Sequence, residues 1–398
     1  MTTATATALA EVYAHGPGKD PRPGPPPARP PRRLGKGVPL APLAAEGRYA
    51  QTVIRLLQLA LAPRRWEPWN IYNDHRLYPS PRAAYLVDVA VRGEDEWWEL
   101  DPVRQCLHAP EDGAPRRSLS GAAPLRLRLT LHPERMPAGY GPLATALAWL
   151  EAGHVAGALA DTATALGLEV RIAAGPGELP APPAGSALEL DLLTGDQPGQ
   201  GWERVTAPRS SGIGPRGLSC DPRPLPGAYL PRLAAAATAP PPGSPAAWGG
   251  LHHAVAVRGV TDHPDGWYAP RGDQFVLRAP ADALAQVQTA FSYPRQDIEV
   301  AGMNLAWVIT APTSAAIRAT GAAGYHRLLL SAGAVAQHVG AEAATVGMFC
   351  RPARSVHEAP LEAAAAVPAD HDFLYLLLLG RSRVRDFAYH LIPPEVLS

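Results

Sequence analysis

The sequence has little cysteine, no excess charge of either sign and no long unbroken apolar run. Its three cysteines, Cys106, Cys220 and Cys350, are far apart and odd in number. That fits neither a disulfide framework nor a zinc motif, and it suits a reducing, cytoplasmic compartment. Basic and acidic residues number 36 each, so nothing in the charge balance argues for nucleic acid or for an acidic tail. No apolar run approaches the ~20 residues of a membrane span. The N-terminus lacks the basic and apolar regions of a signal peptide. His252 and His253 are adjacent, but neighbours on a strand point to opposite faces and cannot share one ion, so no metal is expected.

Hydrophobic residues make up 46% of the 398, ample for packed cores. That length suggests two or three domains, at roughly 100–200 residues each. Residues 1–33 include "GPGKDPRPGPPPARPPRR", too poor in apolar side chains to offset the entropy of ordering, and read as a disordered Pro-rich leader. Further breaks fall at 177–186 and 237–247.

Between the breaks the same elements recur in the same order. "VAVRG" occurs at 89–93 and again at 255–259, 166 residues later. "RYAQTVIRLLQLALA" (48–62) is apolar at helical spacing and is matched by the shorter "GAYLPRLAAAATA" (227–239). Each copy then has a β-rich run with an aromatic pair after it, Trp97-Trp98 or Trp267-Tyr268, which reads as core or cover. Alternating strands follow, "LRLRLTLHP" (125–133) and "NLAWVITAP" (304–312). Long helices are expected over 143–170 and 325–350, sharing "AG-x-VA" at 152–156 and 332–336. "ALELDLLTGD" (187–196) and "DFLYLLLLGR" (372–381) close the two copies. The expected class is α+β, duplicated over roughly 34–200 and 201–398. Two apolar helices, one per copy, most simply pack together, which makes the chain a fused pseudo-dimer.

These segments resemble nitroreductase-fold flavoenzymes. "YPSPRAAYLVDVAV" (78–91) is similar to a Tyr-Pro-Ser segment of that group, "RSSGIGPRGLSCDPRPLP" (209–226) to its N-terminal Arg-x-Ser segment, and "LLLLGRSRVR" (376–385) to its basic C-terminal strand end. "LEAGHVAGALADTATALGL" resembles the central helix of the azoline dehydrogenases of thiazole/oxazole-modified peptide and thiopeptide biosynthesis. The resemblance implies FMN at the interface between the two copies, a precursor peptide as substrate, oxidation of azoline rings to azoles, and a cyclodehydratase partner. It implies a phosphate held by Arg209, Ser210, Ser211, Arg381, Arg383 and Arg385, whose donors suit a dianion. It places Tyr78, Pro79 and Ser80 of the other copy at the flavin ring, and Gly347 and Met348 beside it.

The first copy lacks the serines and carries Asp196 where Arg381 stands in the second. The second copy has Ala246, Ala247 and Trp248 in place of the Tyr-Pro-Ser segment. The complementary losses leave one intact composite site and an expectation of one FMN per chain. The catalytic candidate is Tyr140, but Gly139 stands where the resembled family has lysine. A tyrosine, with an ordinary pKa of ~10, needs a neighbouring cation to act as a base. His154 reads as a satisfied core group and Cys350 as an inert buried thiol. The alternatives are an NAD(P)H-fed nitroreductase or ene-type reductase, and a flavin-free scaffold partner of a peptide-modifying complex.

Overall fold

The computed structural model describes residues 37–70, 72–73, 75–92, 96–109, 125–178, 186–195, 199–212, 218–238, 250–383 and 388–391. The leader 1–33 lies outside these residues. Strands of the first half are β1 (Gly37–Pro39), β2 (Arg65–Trp66), β3 (Val87–Arg92), β4 (Trp97–Asp101), β5 (Cys106–His108), β6 (Leu125–Leu131), β7 (Leu168–Ala174) and β8 (Ser186–Thr194). Those of the second are β9 (His252–Val257), β10 (Gly266–Arg271), β11 (Gln274–Pro280), β12 (Leu305–Ala311), β13 (Phe349–Ala353), β14 (Asp372–Gly380) and β15 (Tyr389–His390). The helices that position the site are α1 (Arg48–Leu61), α2 (Leu143–Ala165), α3 (Trp202–Thr206), α4 (Tyr229–Thr238) and α5 (Ala322–Thr345).

Both large sheets are antiparallel. The first runs β1-β5-β4-β3-β6-β8-β7 and the second β11-β10-β9-β12-β14-β13. Apart from the edge strand β1, the order is the same, strand for strand. The repeated segment begins in the equivalent strands, with residues 89–92 in β3 and 255–257 in β9. The duplication seen in the sequence is therefore a duplication of topology.

The two sheets are covered differently, and their strands show it. In β6 buried and half-exposed residues alternate, and the outward arginines pair across the sheet, Arg126 with Asp191 at 2.7 Å and Arg128 with Glu189 at 2.6 Å. One covered face gives that period of two. In β12 all seven residues are buried. Its outer face is covered by helices Ala283–Ala290 and Glu358–Ala364, which form a second core with Ala306, Val308, Leu376 and Leu378. A strand covered on both sides reads as a continuous apolar run.

Helices α2 and α5 pack against each other between the sheets. Gly153 and Gly333 sit at their closest approach, where a Cβ on Gly333 would lie 3.0 Å from the Gly153 Cα and would collide with the Leu150 carbonyl. A Cβ on Gly153 would collide in the same way with the Leu330 carbonyl. Each collision is the other shifted by 180 residues, as a two-fold axis between the helices requires. Helix α2 is long and apolar enough to cross a membrane, yet most of it is buried here as a core helix.

Both central helices end earlier than the apolar pattern suggests. Gly167 and Gly347 follow their last turns with φ of 71° and 74°, and residues 168–174 and 349–353 turn into strands β7 and β13. A left-handed glycine closes a helix whatever apolar residues come after it. Helix α5 also starts earlier, after Gly321. The end of the second half returns to the first. Strand β15 pairs with β2, and the Leu391 N–H donates to the Arg64 carbonyl at 2.8 Å.

Candidate active site between the two halves

The first half contributes residues 76–87. Three non-glycine residues here are left-handed, Arg82 (φ 54°), Ala83 (φ 50°) and Tyr85 (φ 50°). Such conformations each cost on the order of 1–3 kcal/mol and persist only where the surroundings impose them. Glu151 of α2 is one source of that constraint. Its carboxylate accepts from Ser80 Oγ at 2.6 Å and from the Val87 N–H at 3.3 Å, while Ser80 Oγ accepts the Tyr85 N–H at 2.8 Å. Arg76 is buried beneath the turn, 3.8 Å from the Tyr85 ring centre, and donates to Tyr78 Oη at 2.9 Å. Burial pushes the Glu151 carboxyl up to about 7, against the opposing pull of Ser80, Arg76 and two backbone N–H groups. Tyr78 is fully buried and its phenol raised, whereas Pro79 and Ser80 keep partial exposure.

The second half brings the loop 209–212 that follows α3. The Arg209 guanidinium is buried, with Nη1 3.3 Å from Ser211 Oγ and with no hydrogen-bond partner for Nε among the described residues. Tyr85, Tyr375, Cys350 and a second guanidinium, Arg65, surround it. Burial, together with Arg65, lowers Arg209 to about 10. Among the described residues no carboxylate lies within ion-pair distance of Arg209. Ser210 holds the loop in place, accepting the Cys350 N–H on its carbonyl at 3.0 Å and the Gly212 N–H on Oγ at 3.1 Å. The structure therefore brings Arg209, Ser210 and Ser211 of one half to the 76–87 segment of the other.

A buried polar chain joins these parts. His154, one turn after Glu151 on α2, lies 3.3 Å from Gln337 Oε1 and 3.2 Å from Tyr375 Oη. Gln337 Nε2 donates to the Leu77 carbonyl at 3.2 Å. Burial and the nearby Arg209 lower His154 to about 3, so it is neutral, a satisfied core histidine. The Cys350 thiol is pushed up to about 12 by burial and is no nucleophile. At the helix positions related by 180 residues, Ser331 replaces Glu151, Ala334 replaces His154 and Gly157 faces Gln337, so the polar chain is not repeated.

Tyr140 lies in a recess next to this region. It is hydrogen-bonded to Arg82 and close to Tyr72 and Tyr293. The cation required of a tyrosine base is present, but burial outweighs it and raises the phenol above its ordinary value. Tyr140 is thus a protonated donor at neutral pH, which disfavours it as a base.

Other expected residues have partners of their own. Arg381 donates to the carbonyls of Arg223 and Pro224 at 2.7 and 2.8 Å, because residues 221–225 fold back against the end of β14. Arg383 is exposed beside it. Arg381 Nε has no hydrogen-bond partner among the described residues. Near Arg209 stand Arg64, which donates to the Leu59 and Val205 carbonyls, and Arg65, which pairs with Glu67 at 3.0 Å. The Gly347 and Met348 N–H groups donate to the Ala344 and Ala343 carbonyls at 3.0 and 2.9 Å. They complete a Schellman cap and are not available to a flavin. Asp196, Ala246, Ala247, Trp248 and Arg385 lie outside the described residues. The sequence reading overlooked Glu151, Arg76, Gln337, Tyr375 and Arg351. Glu151 had a signal: an acid in an otherwise apolar helix must be neutralised or paired once the helix is buried.

Comparison with known proteins places the fold. No family model and no curated protein matches the sequence. A solved structure from Anabaena variabilis, of a protein assigned as a nitroreductase, aligns over 96% of this chain and 99% of its own, at 16% identity and TM-score 0.73. Two others match about half the chain. The Escherichia coli microcin synthetase McbBCD complex, with truncated pro-MccB17 bound, aligns over 44% of this chain and 70% of its own at 14% identity and TM-score 0.36. An FMN-dependent nitroreductase from Clostridium difficile aligns over 48% and 90% at 12% identity and TM-score 0.31. The full-length match shows that the chain has a nitroreductase fold, here as two tandem copies forming an intramolecular pseudo-dimer.

Proposed function

We propose that the chain is an FMN-dependent oxidoreductase that converts azoline rings to azoles in a ribosomally made peptide, at one site between its two halves. The observation that carries a cofactor here is Arg209. A buried guanidinium with an unsatisfied Nε and no described carboxylate within ion-pair distance, beside an Arg65 whose charge Glu67 already pairs, is costly to bury and favours an anion opposite it. A phosphate on the loop 209–212 supplies that anion, held by Arg209 with Ser210 and Ser211. The donors present thus fit FMN, with Pro79 and Ser80 on the ring side. Bound FMN would supply the hydride acceptor for the oxidation of the azoline ring.

The chain's own task is then to take the ring's Cα proton. Tyr140 cannot, because its phenol stays protonated. The carboxyl that titrates near neutrality in this region is Glu151, in contact with the half-exposed Ser80. In this reading Ser80 Oγ takes the Cα proton while passing its own to Glu151 Oε2. Gln337, His154 and Tyr375 hold the two halves in register around the site. A cyclodehydratase that supplies the azoline is the expected protein partner.

One observation favours a second reading. A raised phenol beside the cleft, with Gly139 where the resembled family has lysine, suits proton donation, as an NAD(P)H-fed reductase would need. Oxygen uptake with an azoline peptide, set against NAD(P)H oxidation with a nitroaromatic, separates the two. Turnover of the peptide alone supports the first reading, and NAD(P)H consumption without peptide turnover replaces it with the second.

A further inference from the structure

The recess that contains Tyr140 carries a second cationic site. Arg351, on β13 of the second half, faces Tyr72 of the first half and Tyr293 of the second, and its Nη1 lies 3.5 Å from the Ser211 carbonyl. The side chain is crowded enough for burial to lower its pKa, yet the residue keeps partial exposure. Among the described residues no carboxylate lies within ion-pair distance of it. Across the cleft, Arg82 lies 5.4 Å from the Tyr72 ring centre and is bonded to the Tyr140 phenol. Two guanidiniums and three phenols, drawn from both halves, therefore meet next to the Arg209–Ser211 loop.

Guanidinium forks and phenol hydroxyls all donate to an oxyanion, and phenol rings flank a flat group. We propose that this recess binds a carboxylate carried on a planar substituent of the substrate, with Arg351 as its principal partner and Arg82 and Tyr140 completing the clamp. In a peptide substrate the carboxylate is an acidic side chain or the C-terminus near the ring. The role as a substrate subsite rests on the flavoenzyme reading above, whereas the anion preference itself does not.

The test uses 4-nitrobenzoate and its neutral isostere 4-nitrobenzamide as probes, titrated calorimetrically into the full chain as purified. The expected result is at least roughly tenfold tighter binding of the acid, the effect of about one charge-assisted hydrogen bond. Arg351→Gln should abolish that preference, and Arg82→Gln should reduce it, with thermal melting confirming that both variants are folded. Flavin content is measured on the same samples. Preference lost with flavin content unchanged supports the proposal. A preference lost in a chain that never carries flavin supports the anion site and sinks the cofactor reading instead. Equal binding of acid and amide by the native chain overturns the proposal. So does a preference that survives Arg351→Gln. Loss of flavin in Arg351→Gln, with no acid preference in the native chain, assigns the recess to the cofactor phosphate and also overturns it.

Discussion

Replacing Glu151 by glutamine should change how stability depends on pH. Glu151 is fully buried, and its carboxyl is raised from an ordinary 4.5 to about 7, with burial as the largest cause. The folded chain therefore holds this proton more tightly than the unfolded chain. The resulting stabilisation is complete below pH ~4.5 and is lost as pH rises through ~7. Between pH 5 and 8 the loss is about 2.5 kcal/mol from this one group. Glutamine cannot titrate, so the Gln variant lacks this slope while sharing the others. The assay is chemical denaturation of both proteins at pH 5, 6, 7 and 8. The stability of the native chain minus that of the variant should fall with pH by roughly that amount. Parallel curves would refute the shift. A difference that grows with pH would mean that Arg76, Ser80 and the backbone donors outweigh burial and hold the Glu151 carboxyl below its ordinary value, removing the proposed proton acceptor.

Arg209→Ala should weaken FMN binding by roughly 10–100-fold, the worth of a charge-assisted hydrogen bond, as followed by the return of flavin fluorescence on release. Arg381→Ala should leave flavin affinity near that of the native chain, since its guanidinium serves the carbonyls of Arg223 and Pro224. Equal losses from both would restore the larger phosphate cluster. Gly153→Ala should destabilise the chain by on the order of 2–3 kcal/mol, because the added methyl meets the Leu330 carbonyl at the helix crossing. Gly139→Ala, with open space around it, should be nearly neutral in the same denaturation assay.

The duplication was legible because it is written in local patterns: the equivalent strands β3 and β9, the paired strand ends and two apolar helices with shared glycines. Burial of the helices followed from their composition, since a helix without a polar face has to be covered. The helix ends were misplaced although Gly167 and Gly347 mark them, because the apolar strands β7 and β13 continue the run without a polar break. The site was legible only in part. Arg209, Ser210 and Ser211 stood out as adjacent donors, and the Tyr78–Ser80 segment by its resemblance. The hydrogen bonding of Arg381 depends on a loop 158 residues earlier in the chain folding back onto it, which no local pattern encodes. Glu151 stood as a lone charge in an apolar helix, but its partner Ser80 is 71 residues away and its raised carboxyl exists only once the fold has buried it. Arg351 was unremarkable in the sequence because its surroundings, Tyr72, Ser211 and Tyr293, come from three separate segments, one in the other half and two on the far side of the central helix.

The proposed function requires one flavin site per chain, built from both halves. Its most direct test is the visible absorption spectrum of the purified chain, with flavin released and counted per polypeptide before and after saturation with FMN. One FMN per chain is the expected result. Two would contradict the asymmetry between the site and its pseudo-symmetric counterpart, and none after saturation would contradict the cofactor itself.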